Sequence, residues 1–133
     1  MNIKIKEIAY HLPDLVVKNS DLKIKHPDWD MTQVEERAGV IERHIASEKE
    51  TALDLAVEAS KKLFAGELNK DSIDALIFCT QSPDYIMPGN SFVLHKELGL
   101  TENVFAFDIN LACSGYIYGL AISKGLIAAG IAE

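Results

Sequence analysis

The sequence predicts an α/β fold with a mostly parallel sheet between helix layers. Three observations carry this expectation. Ala75–Thr80 is a continuous apolar run of strand length, and Val104–Ile109 a second, interrupted only by Asp108, both with β-branched and aromatic residues; such runs suit strands covered on both faces. Each is followed, across a short loop, by a helical pattern, Gly89–Leu98 and Ser114–Ala129. A third helical pattern, Thr51–Ala65, precedes them with its own start and stop signals.

Taken in order, Ile3–Tyr10 alternates, with Ile3, Ile5 and Ile8 on one side and Lys4 and Lys6 on the other. That reads as a half-buried strand, ended by Pro13. A short helix then starts with Asn19 or Ser20 as its N-cap, and another covers Met31–Ala38 and stops at Gly39. In the Thr51 helix, Asp54 stands three residues after Thr51, the spacing of a capping box. Leu53, Ala56, Val57, Ser60, Leu63 and Phe64 recur at helical spacing, and Gly66 ends the helix. Asp71–Asp74 is turn chemistry, Gln81–Pro88 a loop, and Gly99 closes the Gly89 helix. The Ser114 helix is apolar on nearly every side, so it should lie buried between layers, although this chain holds no complete sheet to bury it under.

The chain has 133 residues, enough for one domain spanning 1–133 with a real core. Its net charge of −7 argues against nucleic acid as a partner, because an acidic surface repels phosphate. Lys4, Lys6, Lys18, Lys23 and Lys25 form a mildly basic stretch without interleaved aromatics, the pattern of a solvated face rather than of a binding patch. Two cysteines supply neither a disulfide framework nor a four-ligand zinc site, and no metal is expected. The charged run Lys4–Glu7 interrupts any signal-peptide pattern. The apolar run Ile117–Ile131 is short for a membrane span and carries Lys124. A soluble, cytoplasmic protein without a membrane span is the expectation.

Cys113 stands where a strand gives way to a helix. The first turn of a helix offers free N–H groups and the positive end of the dipole, and both favour a negatively charged sulfur. The same N–H groups, at Ser114 and Gly115, are candidate donors to an oxyanion formed when the sulfur attacks a thioester. Gly115 would let the backbone approach a substrate closely. The alternative is that Cys113 is simply a small buried hydrophobe. Cys79, in mid-strand among apolar neighbours, reads as core.

The stretch Phe107-Asp108-Ile109-Asn110-Leu111-Ala112-Cys113-Ser114-Gly115-Tyr116 resembles the active-cysteine segment of β-ketoacyl-acyl-carrier-protein synthase III. Gly39–Ala46 (GVIERHIA) is similar to that family's Gly-Ile-x-x-Arg segment, and Glu50-Thr51 follows at the usual distance. Gln81-Ser82-Pro83-Asp84-Tyr85 and Pro88 resemble its next loop. The likeness runs along essentially all of the chain and implies the N-terminal half of a thiolase-like fold, with the Ser114 helix as one of two inner helices. It implies that an acyl-CoA acylates Cys113, and that malonyl-acyl-carrier protein then loses carbon dioxide and attacks the thioester. No cofactor is implied beyond the CoA thioester as substrate. Acyl-CoA, acyl carrier protein and a second copy in a homodimer are the implied partners.

By the same resemblance Arg37 contacts the CoA nucleotide, with a helix-surface ion pair as the alternative. Met87 crosses the dimer interface to line the partner's acyl pocket, with plain packing as the alternative. Two positions depart from the family pattern: Gln33 stands where a tryptophan is usual, Trp29 lying four residues earlier, and Ile41 replaces an arginine. The family's catalytic His and Asn belong to its second half. His11, His26, His44 and His95 match neither, and the chain ends at Glu133 where the next strand is expected. Acylation without condensation is the expectation for this chain alone. The alternatives are another thiolase-fold condensing enzyme, of the 3-hydroxy-3-methylglutaryl-CoA synthase or polyketide-priming type, and a non-catalytic subunit that binds acyl carriers.

Overall fold

The computed structural model describes residues 3–133. They divide into two compact units: Leu12–Glu50, and the residues up to His11 together with Thr51–Glu133.

The smaller unit contains strand β1 (Leu15–Lys18), helices α1 (Asn19–Lys25) and α2 (Met31–Ala38), and strand β2 (Glu42–Ile45). β1 and β2 pair antiparallel, Leu15 opposite Ile45 and Lys18 opposite Glu42. Neither strand was expected, since both are short and charged. Asn19 is buried and holds the unit together: its amide donates to Glu35 Oε1 at 2.9 Å and to the Val40 carbonyl at 2.8 Å, while its oxygen accepts from Arg43. It is thus the first residue of α1, with Lys18 as the N-cap. Asp30 caps α2 by accepting from the Thr32 and Gln33 N–H groups. Gly39, at φ 68°, ends it as predicted.

The larger unit carries the expected α/β order. Helix α3 (Ala52–Phe64) starts with the predicted capping box: Thr51 Oγ1 accepts the Asp54 N–H at 3.3 Å, and the Asp54 carboxylate accepts the Thr51 N–H at 2.9 Å. After a 3-10 turn at Lys70–Ser72 come β3 (Ala75–Cys79), α4 (Asn90–Leu98), β4 (Phe105–Ile109) and α5 (Gly115–Ala128). β3 and β4 are parallel, from Ala75 opposite Phe105 to Cys79 opposite Ile109. Leu53, Phe78, Leu94, Leu98, Leu100 and Val104 form the core, with Leu76 packed against it. On the other face of β3, Ala75 and Ile77 line a cavity of about 330 Å³ with Ser123, Leu126 and Ile127 of α5. The layers are therefore α3 and α4, then the sheet, then α5. Side chains alternate along a strand, so Cys79 shares the α5 face with Ala75 and Ile77.

One expectation fails here. Ile3–Tyr10 joins no ladder among the described residues, and Ile5, Ile8 and Tyr10 are exposed. Alternation specifies a face but supplies no partner strand. Helix α5 is largely uncovered among the described residues, as the lack of a complete sheet over it implies: only Gly115 is buried, and Tyr116, Ile117, Tyr118 and Leu120 are exposed. One side rests on β3, and the rest has no cover among the described residues.

Candidate active site

The segment joining β4 to α5 is short and held at both ends. The Thr80 N–H donates to the Ile109 carbonyl at 3.1 Å, continuing the parallel pairing one residue past β3. The Leu111 N–H donates to the same carbonyl at 3.2 Å, and the Gly115 N–H closes a turn onto the Ala112 carbonyl at 2.9 Å. Cys113 sits on that turn as a free, exposed thiol. Ser114 is the N-cap of α5 in αR conformation, without a side-chain cap bond, and its carbonyl accepts from the Tyr118 N–H at 3.1 Å.

The Gly115 N–H is engaged by the Ala112 carbonyl, and a Cβ at this position would run into Cys79 Sγ and lie 3.2 Å from Leu111 Cβ. The glycine makes room for a neighbouring thiol from β3. Cys79 is correspondingly not core: it is the exposed last residue of β3, and its S–H donates to the Leu111 carbonyl at 3.7 Å. An apolar run shows that a strand is covered, not where it emerges.

A polar cluster that the sequence reading assigned no role lies one helix away. Asp108, in the apolar strand β4, accepts the Asn90 N–H at 2.7 Å and the Ser91 N–H at 2.8 Å, capping α4 from a different element. Asn90 is fully buried and pairs with Asp84 twice, its amide donating to Oδ1 at 3.0 Å and its oxygen accepting the Asp84 N–H at 3.1 Å. Gly89 leaves room for the carboxylate; a Cβ there would lie 2.7 Å from Asp108 Oδ1. The signal was present in the sequence, because an acidic residue inside an apolar strand needs buried donors. A cleft of about 300 Å³ opens between this cluster and the 83–86 loop, lined by Thr80, Tyr85, Ile86, Asp108, Ile109 and Asn110 among others.

Met87 and Arg37 complete the set of candidate residues. Met87 is 83% exposed, next to Ile86 at 98%, and is joined to Pro88 by a cis peptide bond. Arg37 is exposed in the last turn of α2 and belongs to the smaller unit. Among the described residues the one displaced titration lies elsewhere: the Lys61 ammonium, hydrogen-bonded to Glu58 at 2.6 Å, holds that exposed carboxyl below its usual range.

No family profile matches the chain. Individual proteins do. A β-ketoacyl-[acyl-carrier-protein] synthase III of Fusobacterium nucleatum is 36% identical over 131 residues, covering 98% of this chain and 39% of that protein. The protein of the same description from Campylobacter jejuni is 40% identical over 129 residues, covering 96% of this chain and 39% of its own length. A crystal structure of 3-oxoacyl-(acyl-carrier-protein) synthase III superposes with a TM-score of 0.87 at 46% identity, covering 96% of this chain and 38% of that one. The chain thus spans about two-fifths of the length of the curated relatives it matches. Over its length the chain is similar to the N-terminal part of β-ketoacyl-acyl-carrier-protein synthase III proteins and has the fold of that part of a thiolase-like fold.

Proposed function

We propose that the chain carries the acyl-accepting half of a condensing acyltransferase of fatty-acid or related acyl-chain initiation. The observation that carries this reading is the exposed Cys113 thiol, held on the turn between a parallel strand and the first turn of α5. The sulfur attacks the carbonyl carbon of an acyl-CoA, the C–S bond to CoA breaks, and the CoA thiol leaves with the proton. A malonyl group on acyl carrier protein then loses carbon dioxide. Its carbanion attacks the Cys113 thioester and expels the sulfur, giving a β-ketoacyl product. Sulfur suits both steps, because it is a strong nucleophile and also a good leaving group.

The remaining roles rest on the resemblance. Arg37 contacts the CoA nucleotide, Met87 reaches an acyl pocket in a second copy, and the N–H groups around Ser114 support the oxyanion. The His and Asn that stabilise the enolate come from the other half of the fold, and the enzyme works in the cytoplasm as a homodimer. The experiment is a condensation assay on the complete product of the gene, with acetyl-CoA or a longer primer and malonyl-acyl-carrier protein, following carrier mass. A β-ketoacyl carrier that vanishes in Cys113→Ala supports the reading. Acylation of Cys113 with no condensed product from any primer would instead favour a carrier-binding subunit.

A further inference from the structure

We infer that Cys79 and Gly115 form a size-matched pair that positions Cys113, making Cys79 a positioning residue for the acyl transfer; this rests on Cys113 being the acyl acceptor. Cys79 touches the nucleophile's segment at two points that straddle Cys113, two residues to either side: the Leu111 carbonyl, which accepts its S–H at 3.7 Å, and Gly115, whose missing side chain leaves the space that Sγ fills. Cys79 itself ends a strand, with Ile109 opposite it in the parallel register and the Thr80 N–H bonded to the Ile109 carbonyl. The turn is therefore gauged against β3 rather than only tethered to its own helix. A larger residue at either position pushes the first turn of α5 away from the strand and carries the Cys113 sulfur with it. A Cβ at 115 would lie 3.9 Å from the Cys79 Cβ, an ordinary contact, and 3.2 Å from Leu111 Cβ, which a shift of a few tenths of an ångström relieves, so the sulfur is the main obstacle to a side chain there.

That last point makes a rescue test. Acyl transfer from acetyl-CoA to Cys113 is timed by peptide-mapped mass on the complete gene product, for the wild type, Gly115→Ala, Cys79→Ala and the double variant. Misplacing a nucleophile by about 1 Å can cost about 100-fold in rate, so Gly115→Ala should slow acylation at saturating acetyl-CoA by at least ~10-fold. The fraction of protein finally acylated should stay whole, which a mere loss of folded protein would not allow. Adding Cys79→Ala should bring the rate back to within ~3-fold of Cys79→Ala alone, the non-additivity of a contacting pair. A folded Gly115→Ala protein with an unchanged rate, or a double variant no faster than Gly115→Ala, overturns the inference. Should Gly115→Ala not fold, Cys79→Val presses on the same gap from the other side, and an unchanged Cys113 rate in that variant overturns it equally. If the wild type takes no acyl group, the functional reading fails by itself, and iodoacetamide alkylation of Cys113 across the same variants decides the positioning.

Discussion

Helices α4 and α5 each follow one of the two parallel strands, yet their first turns are finished in opposite ways. At α4 the leading N–H groups are sealed: Asp108 accepts from Asn90 and Ser91, and both residues are fully buried. Farther along, Leu94 and Leu98 are 3% and 5% exposed. At α5 no side chain caps the start, the adjoining thiol is exposed, and of the helix only Gly115 is buried. The sealed helix holds the unit together. The open one leaves a nucleophile and an apolar surface in reach of something else.

Substitutions can break or sharpen that contrast. Leu94→Ala should destabilise the chain by about 2–5 kcal/mol, through lost burial and the cavity left behind. Leu120→Ala on α5 should cost less than about 0.5 kcal/mol. Urea unfolding measures both, and equal losses would mean that the α5 surface is covered in solution. Next comes Asp108→Ala, expected to cost about 2–3 kcal/mol because two buried N–H groups lose a charged acceptor. A loss well below that would show that water replaces the carboxylate.

Thr51→Ala removes half of the α3 capping box and should cost about 1 kcal/mol in the same measurement. The smallest effect belongs to Glu58 and Lys61. The depressed carboxyl means that the pair's contribution is present above the usual carboxylate range and is lost as the pH falls through the lowered value. Because the pair is exposed, Lys61→Gln should leave the melting temperature nearly unchanged at neutral pH, and a clear drop would show that the pair is tied into more than its own helix turn.

Much of this arrangement was legible in the residues, for identifiable reasons. The start of α3 follows from Thr51 and the stops of α2 and α4 from Gly39 and Gly99, because caps are local chemistry, whereas α3 ends at Ala65 one residue before the expected Gly66. The strand-to-helix position of Cys113 follows from two adjacent hydrophobic patterns of different period. What escaped depends on partners distant in sequence. β1 and β2 exist because Leu15–Lys18 and Glu42–Ile45 find each other, not because either alternates. Cys79 reads as core until the register shows that it ends its strand. The all-round apolar α5 shows correctly that it requires cover, but no pattern within the chain says what supplies it. Asp108 was visible as an oddity in an apolar strand, while its donors, Asn90 and Ser91, lie 18 and 17 residues away.

The central claim is that Cys113 accepts an acyl group, and the most direct test is intact-protein mass after incubation with acetyl-CoA and longer acyl-CoAs. A single acyl adduct, mapped to Cys113 and absent from Cys113→Ala, is the predicted result, and its yield across chain lengths ranks the primers. An adduct that persists in Cys113→Ala by moving to Cys79, or no adduct from any acyl-CoA on folded, complete protein, would contradict it.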